Sequence, residues 1–323
     1  MRCIVTGGGG FAGSHLCEYL KQKGEEILAL DLTEGLLEEL AQDLRPDFIE
    51  CDLLDRPALR SIIRDFKPDV LFHLAGISFV PRAGKSPGHA VKINITGSIH
   101  ILESVRIENP AIRTVMISSG AVYGRRAVKG KGFKEDDRLE PENFYALTKE
   151  SMEAFTRFYC RTHGVNAIVL RPFNHIGPRQ SGEFVASSFA KQIAEILELG
   201  RETVIKVGNL EAKRDFTDVR DMVAAYDLAA RLGSAGDVFN LCSGIPVRIS
   251  DLLRNVIAMS GRDIRVETDQ SLLRRGTQSE DVLFGDPSRF VEKSRWRRQY
   301  TLEQTMKEIL AYWQKKIQDQ GTD

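Results

Sequence analysis

The 323-residue chain carries no excess charge: 45 Lys and Arg stand against 45 Asp and Glu. That balance gives no electrostatic case for nucleic acid or an anionic membrane as a partner. Cysteine is sparse, with five residues at 3, 17, 51, 160 and 242, and neither metal-ligand spacing nor the density of a disulfide framework. Cys3 and Cys51 fall in strand-like runs and read as small buried apolar residues. No early apolar run reaches the length of a signal-peptide core, and none approaches a membrane span. The six histidines form no group with carboxylates or cysteines, so a metal mechanism has no support. Internal repeats and low-complexity linkers are also missing. These absences leave a reduced, cytoplasmic, soluble protein, long enough for one large α/β unit or two modest ones.

What is present begins at Thr6-Gly7-Gly8-Gly9-Gly10-Phe11-Ala12-Gly13, behind the apolar run Cys3-Ile4-Val5. The spacing fits a first strand turning sharply into a helix near Phe11. Gly7 permits the turn, Gly10 lets main chain touch a pyrophosphate, and Gly13 lets helix and strand pack closely. An amphipathic helix over 14–22 and a second strand over 26–30 follow in the required order. Asp31 closes that strand, where an acidic group holds an adenosine ribose. Strands over 47–51, 69–73, 114–118 and 166–170 then alternate with helices over 56–66, 90–108 and 145–163. This alternation predicts an α/β protein with a doubly wound parallel sheet. The stretch 125–143 breaks the rhythm and reads as too polar to bury, either a surface excursion or a mobile lid.

Beyond Pro172 the pattern loosens into helices over 184–199, 219–232, 249–259 and 302–317 and strands over 204–207 and 238–241. We expect a dinucleotide-binding domain over 1–170, joined by about 214–245. A smaller α/β substrate-binding part takes 171–213 and 246–323.

Tyr145 and Lys149 lie four apart on one helix face, and Ser119 ends a parallel strand, where open sheets place ligands. A Ser, a Tyr and a Lys beside a nicotinamide form a proton relay. The lysine favours the phenolate and lowers the tyrosine pKa, and the serine holds the reacting oxygen. His73, in a buried strand, reads as a satisfied core residue, and His175 as a structural hydrogen-bonding residue.

Together with Asp52-Leu53, His73-Leu74-Ala75-Gly76, Asn94-x-x-Gly97, Ser118-Ser119 and Tyr145-x-x-x-Lys149, the glycine stretch resembles the extended short-chain dehydrogenase/reductases. Their fold is an NAD(P)-binding Rossmann fold. The narrower blocks Arg171-Pro-Phe-Asn-His-Ile-Gly-Pro178, Val207-Gly-Asn-Leu-Glu-Ala212 and Arg214-Asp-Phe-Thr-Asp-Val-Arg-Asp221 resemble GDP-4-keto-6-deoxy-D-mannose reductases, which form GDP-D-rhamnose. The resemblance implies NAD(P)H as cofactor, a GDP-linked sugar as substrate, and a homodimer through a four-helix bundle. It also implies that Leu74, Ala75, Gly76 and Asn94 meet the cofactor and Ser78 the substrate. Asn174 and Arg214 would hold the diphosphate, and Lys191 would sit near the guanine. The competing reading of Arg214 is a salt bridge to Asp215 or Asp218.

Three departures qualify the analogy. The family's Arg-Pro-x-Asp/Glu-Val-Pro element is replaced by 273–282, leaving Arg274 or Arg275 as a guess for the last phosphate contact. Gly285-Asp-Pro-Ser288 is closer to the related GDP-mannose 4,6-dehydratases. Asp31 disfavours a 2′-phosphate and no arginine adjoins it, so the sequence leans to NADH. The alternative activities are a 4,6-dehydratase or a 4-epimerase on the same scaffold, and, more remotely, a non-catalytic dinucleotide sensor. Dehydratases place a glutamate two residues after the Ser/Thr position. Here that residue is Ala121, with only Glu135 or Glu140 able to swing in.

Overall fold

Short, largely apolar segments alternate with amphipathic ones along the first half of the chain, and each apolar segment is a strand with helices or loops covering both faces. The structure, a computed structural model, describes residues 1–124, 130–273 and 281–320. In chain order the first half runs β1 (Arg2–Thr6), α1 (Phe11–Gln22), β2 (Glu26–Asp31), β3 (Asp47–Glu50), α2 (Arg56–Phe66) and β4 (Val70–His73). Then come the short α3 (Val80–Lys85) and α4 (Pro87–Val91), followed by α5 (Gly97–Glu108), β5 (Arg113–Ile117), α6 (Phe144–His163) and β6 (Ala167–Pro172). The second half contains β7 (Asn174–Ile176), α7 (Val185–Leu199), β8 (Val204–Val207), β9 (Lys213–Asp218), α8 (Val219–Leu232) and β10 (Val238–Leu241). It ends with β11 (Pro246–Arg248), α9 (Ile249–Ser260), β12 (Arg265–Thr268), β13 (Val282–Leu283), α10 (Ser288–Ser294) and α11 (Leu302–Gln320).

Seven parallel strands form the main sheet in the order β3-β2-β1-β4-β5-β6-β10. The doubly wound sheet is therefore present. Its direction reverses between β1 and β4, and ligands bind at such a switch point. Side chains alternate across it: Cys3 and Val5 join Leu16 and Val223 on one face, while Ile4 joins Leu71 and Met152 on the other. A separate core of Ile193, Phe216, Leu252 and Met306 lies under α7, α9 and α11.

Three local expectations change. The helix expected over 90–108 is interrupted by a wider π-type turn at Lys92–Thr96. There the Asn94 carboxamide turns back to Ile77, accepting its N–H at 2.8 Å and donating to its carbonyl at 3.1 Å. Such turns recur at functional sites. The second change concerns β9, which lies in the expected return to the main sheet. Only α8 and β10 return. β9 pairs instead with β7, β11 and β13, because Phe216 belongs to the second core.

The third concerns 125–143, of which 125–129 lie outside the described residues. Most of the remainder is exposed or half-buried, as a surface excursion would be, with two exceptions. Phe133 and Glu135 are buried, and Phe133 stacks on Tyr123 with centroids 4.8 Å apart. Phe133 also donates its N–H to the Phe284 carbonyl at 3.0 Å, and its carbonyl accepts from Asp286 N at 2.8 Å. The segment leads into α6, whose first turn is capped by Asn143 accepting from Ala146 N at 2.9 Å. Such a cap is worth about 1 kcal/mol. Gly164, left-handed at φ 67°, ends the helix.

Candidate active site

The β1–α1 turn is built so tightly that side chains are excluded from it. Gly7 has φ 74°, and a Cβ there would lie 2.6 Å from Ala75 N; one on Gly13 would lie 1.9 Å from the Gly7 carbonyl oxygen. Gly10 precedes α1 and supplies no side-chain cap, so no hydroxyl or carboxylate at that position takes up the first N–H groups of the helix. An uncapped helix start behind a glycine cradle suits a pyrophosphate.

Asp31 stands at the end of β2, its carboxylate accepting from Gly9 N at 3.1 Å and Leu32 N at 2.8 Å. Burial raises its pKa, and these two amides oppose the rise. Asp52 is oriented by its own turn, accepting from Leu54 N at 2.9 Å.

All of these line one cleft of about 940 Å³, together with Phe11, Ala12, Leu53 and the 74–76 turn. Ser78, Ser119, Tyr145, Lys149, Asn174 and Arg214 line it as well. A buried glycine cradle, an uncapped helix and a strand-end carboxylate fit a nicotinamide dinucleotide.

The relay is assembled. Tyr145 and Ser119 line the same part of the cleft, the Ser119 hydroxyl favouring the Tyr145 phenolate, and Ser119 Oγ accepts from Ala121 N at 3.1 Å. Lys149 is buried one turn further along α6 and donates to the Ile117 carbonyl at 2.7 Å. Burial lowers its pKa to about 8, with the Glu153 carboxylate opposing the fall.

One expectation is corrected: the Tyr145 pKa is raised, not lowered. Burial dominates, the Ser119 hydroxyl opposes it, and the Lys149 ammonium is aimed at Ile117. For a group that must start as a proton donor, a raised pKa keeps the phenol protonated. His73 is a satisfied core residue, as its strand suggested: it bonds Thr6 Oγ1 at 2.8 Å and Ser98 Oγ at 2.9 Å, and burial holds it neutral with a pKa of about 3. His175 stacks on Phe11 with centroids 5.8 Å apart and bonds the Phe173 carbonyl at 3.2 Å.

Other candidates sit elsewhere. Asn94 is behind the cleft wall, bracing Ile77 and donating to Thr148 Oγ1 at 2.9 Å, and so positions the 76–77 turn. Lys191 is off the cleft lining, its ammonium 5.4 Å from the Trp313 ring centroid. Arg274 and Arg275 lie outside the described residues.

Arg214 reaches neither Asp215 nor Asp218. It pairs with Asp281 at 2.6 Å, because Asp215 is taken by Ser243 and Gly244, while Asp218 caps α8 and pairs with Arg220. Asn174 donates to the Asp215 carbonyl at 3.3 Å. Glu135 is turned away from the cleft, accepting from Asn240 N at 2.9 Å beside Arg289. Glu140 is exposed and paired with Arg138.

No motif pointed to Arg82 and Lys206, two cations on the cleft wall, or to Gln180. The Gln180 Oε1 atom is buried without a partner among the described residues. Isolated positions far apart in the chain carry no spacing signal that would have brought them together.

A doubly wound sheet, a glycine cradle at its switch point and a Ser-Tyr-Lys relay across the cleft define an NAD(P)-binding dehydrogenase of the extended short-chain type. The match to the family model "GDP-mannose 4,6 dehydratase" spans residues 4–309, and the chain belongs to that family. It is similar to the GDP-6-deoxy-D-mannose reductase of Pseudomonas aeruginosa, 30% identical with 99% of each chain covered. The GDP-6-deoxy-D-talose 4-dehydrogenase of Aggregatibacter actinomycetemcomitans is 26% identical with 90% of each covered. Among solved structures, RMD from Pseudomonas aeruginosa complexed with NADPH superposes with TM-score 0.83 at 30% identity, covering 98% of this chain and 99% of that one. A UDP-glucose 4-epimerase from Thermotoga maritima with UDP-glucose gives TM-score 0.86 at 28% identity, covering 98% and 100%.

The Lys149 environment sets a pH dependence. Below about pH 8 the ammonium is present, and above it the neutral amine takes over. The specificity constant for the reduced dinucleotide, which reports the free enzyme, should fall about tenfold per pH unit above that point. Lys149→Met should abolish the fall and leave a low, flat profile. A wild-type profile flat to pH 9.5 would contradict the assignment.

Proposed function

We propose that this protein reduces the C4 keto group of a GDP-linked 4-keto-6-deoxyhexose, converting GDP-4-dehydro-6-deoxy-D-mannose to GDP-D-rhamnose. The observation that carries the reading is the gathering of Ser119, Tyr145 and Lys149 in one cleft, with Ala121 where a dehydratase needs a glutamate. The fixed places of Glu135 and Glu140 weigh further against elimination.

The dinucleotide, bound along Gly7–Gly13 and Asp31, supplies the hydride. Tyr145 gives its proton to the C4 oxygen as charge develops there. Ser119 orients that oxygen and shares its charge, an interaction that strengthens toward the anion. Lys149 holds the nicotinamide ribose. Arg214 and Asn174 take the diphosphate, a guanidinium being suited to bidentate, charge-assisted bonds.

We place the substrate half in 171–213 and 246–323, with β9 alongside it, and the dinucleotide half in 1–170 with the α8–β10 part of 214–245. Five unpaired cysteines, four of them buried, support a reducing, cytoplasmic setting. Along α6, Met152 and Tyr159 are buried in the main core. Phe144, Leu147, Phe155 and Phe158 form an exposed apolar stripe, for which a second copy is our proposed cover. The direct test is a screen for NAD(P)H oxidation over GDP-, dTDP-, UDP- and CDP-linked 4-keto-6-deoxy sugars. Turnover should be confined to, or strongest with, the GDP sugar. Oxidation with none of the four would end this reading.

Three outcomes are expected. Tyr145→Phe should lower kcat by about 10²–10⁴, the worth of positioned acid catalysis, while leaving dinucleotide affinity nearly intact. Wild-type turnover in that variant would remove the proposed acid. NADH should give a higher kcat/KM than NADPH because of the Asp31 carboxylate, and Asp31→Ser should narrow the gap. An NADPH preference unchanged by that substitution would contradict it. Light scattering at micromolar concentration should return a dimer mass, with Leu147→Glu shifting it toward monomer; a monomeric wild type would refute the stripe's assignment.

A further inference from the structure

Beneath the cleft lies an ion pair that the proposed chemistry does not use. Glu153 is on α6, one turn beyond Lys149, and its side chain is entirely buried. Arg171 at the end of β6 meets it with two parallel bonds, Nε to Oε1 at 2.9 Å and Nη2 to Oε2 at 2.7 Å. Ser118, the neighbour of Ser119, donates its hydroxyl to Oε1 at 2.5 Å. The carboxylate thus ties the helix carrying Tyr145 and Lys149 to the strand end carrying Ser119.

The remaining guanidinium nitrogen extends the tie outward. Arg171 Nη1 donates to the Tyr123 hydroxyl at 2.7 Å and to the Glu135 carbonyl at 2.9 Å. Tyr123 in turn donates to Asn240 Oδ1 at 2.7 Å. One guanidinium therefore links the catalytic helix to the segment that leads into Asn143 and the α6 cap.

A buried pair of this kind is weak evidence for stability, since desolvation offsets most of its attraction, so its retention calls for another account. Resting on the reading that Lys149 serves a bound dinucleotide, we propose that Glu153 is a positioning residue: it fixes α6 against the strand ends and supplies the negative charge that keeps Lys149 an ammonium ion. The other groups around Lys149 supply no such charge. His73 on β4 is neutral, Tyr145 is a phenol, Tyr226 on α8 is a buried phenol facing Tyr145, and Arg171 is a cation. Burial alone drives Lys149 toward the neutral amine, and Glu153 opposes it.

The test uses binding, so it does not depend on the identity of the sugar. NADH and NADPH affinity of the full chain is measured by fluorescence from pH 6 to 10, without substrate. Wild type should lose affinity above about pH 8. In Glu153→Gln that limb should move down by about one pH unit, the order of effect of losing an opposite charge one helical turn away. Arg171→Gln should move it up, because it leaves only the half-exposed Arg157 guanidinium, 3.5 Å away, to offset the carboxylate. Opposite signs are not what loosened packing would give. Glu153→Asp, which keeps the charge, should hold the limb close to wild type even if kcat falls.

Limbs unmoved in Glu153→Gln and Arg171→Gln, or moved the same way in both, would overturn the proposal. If only one of these two variants folds, the direction of its limb decides. Failure of both to fold would assign the pair to stability alone and overturn it too. A wild type with no limb would instead remove the role given to Lys149 itself, a separate failure.

Discussion

The Lys149 ammonium is a charge held out of water, and much of the architecture around the cleft serves to hold it there. An unpaired buried ammonium costs several kcal/mol. Here the cost is met by one carbonyl, that of Ile117 at 2.7 Å, and by the field of Glu153. Neither group is local in sequence to the β4 turn that Lys149 also approaches, where a Cβ on Gly76 would lie 3.8 Å from Nζ. The lysine is therefore the point where β4, β5 and α6 have to agree in position. Ser119 and Tyr145 inherit their geometry from that agreement.

The second constraint is steric. The glycine cradle is defined by where side chains cannot be: Gly7 against Ala75, and Gly13 against Gly7. Main chain fills the β1–β4 crevice so closely that α1 starts without a capping side chain. Phosphate recognition by helix N–H groups follows from that packing. The Asn94 brace on Ile77 does the same work on the opposite wall, at the expense of a regular turn in the helix that carries it.

Much of this was legible in the sequence, and the reasons are specific. Short apolar runs alternating with amphipathic helices located the main-sheet strands, and the glycine spacing located the cradle. Tyr145 and Lys149 share a helix face by simple arithmetic. What could not be read were features set by desolvation and by contacts between distant segments. The direction of the Tyr145 shift depends on burial outweighing the Ser119 hydroxyl. Phe133 and Glu135 lie in a charged stretch, yet both are buried because Tyr123, Asn240 and Phe284 receive them. Arg214 turns to Asp281, 67 positions along the chain, rather than to its sequence neighbours. The short strands β7, β11 and β13 carry too few residues for a periodic signal.

Membership of the GDP-mannose 4,6 dehydratase family brings together chains that reduce, dehydrate and epimerise on one scaffold, so net hydride transfer is the point at issue. The most direct measurement follows the hydrogen itself. NADH or NADPH deuterated at its transferable position is incubated with the GDP-linked 4-keto-6-deoxyhexose, and the hexose product is read by NMR. The account predicts one deuterium at C4, in step with one equivalent of cofactor oxidised. Product formed without net cofactor oxidation, or with no deuterium at C4, would contradict it.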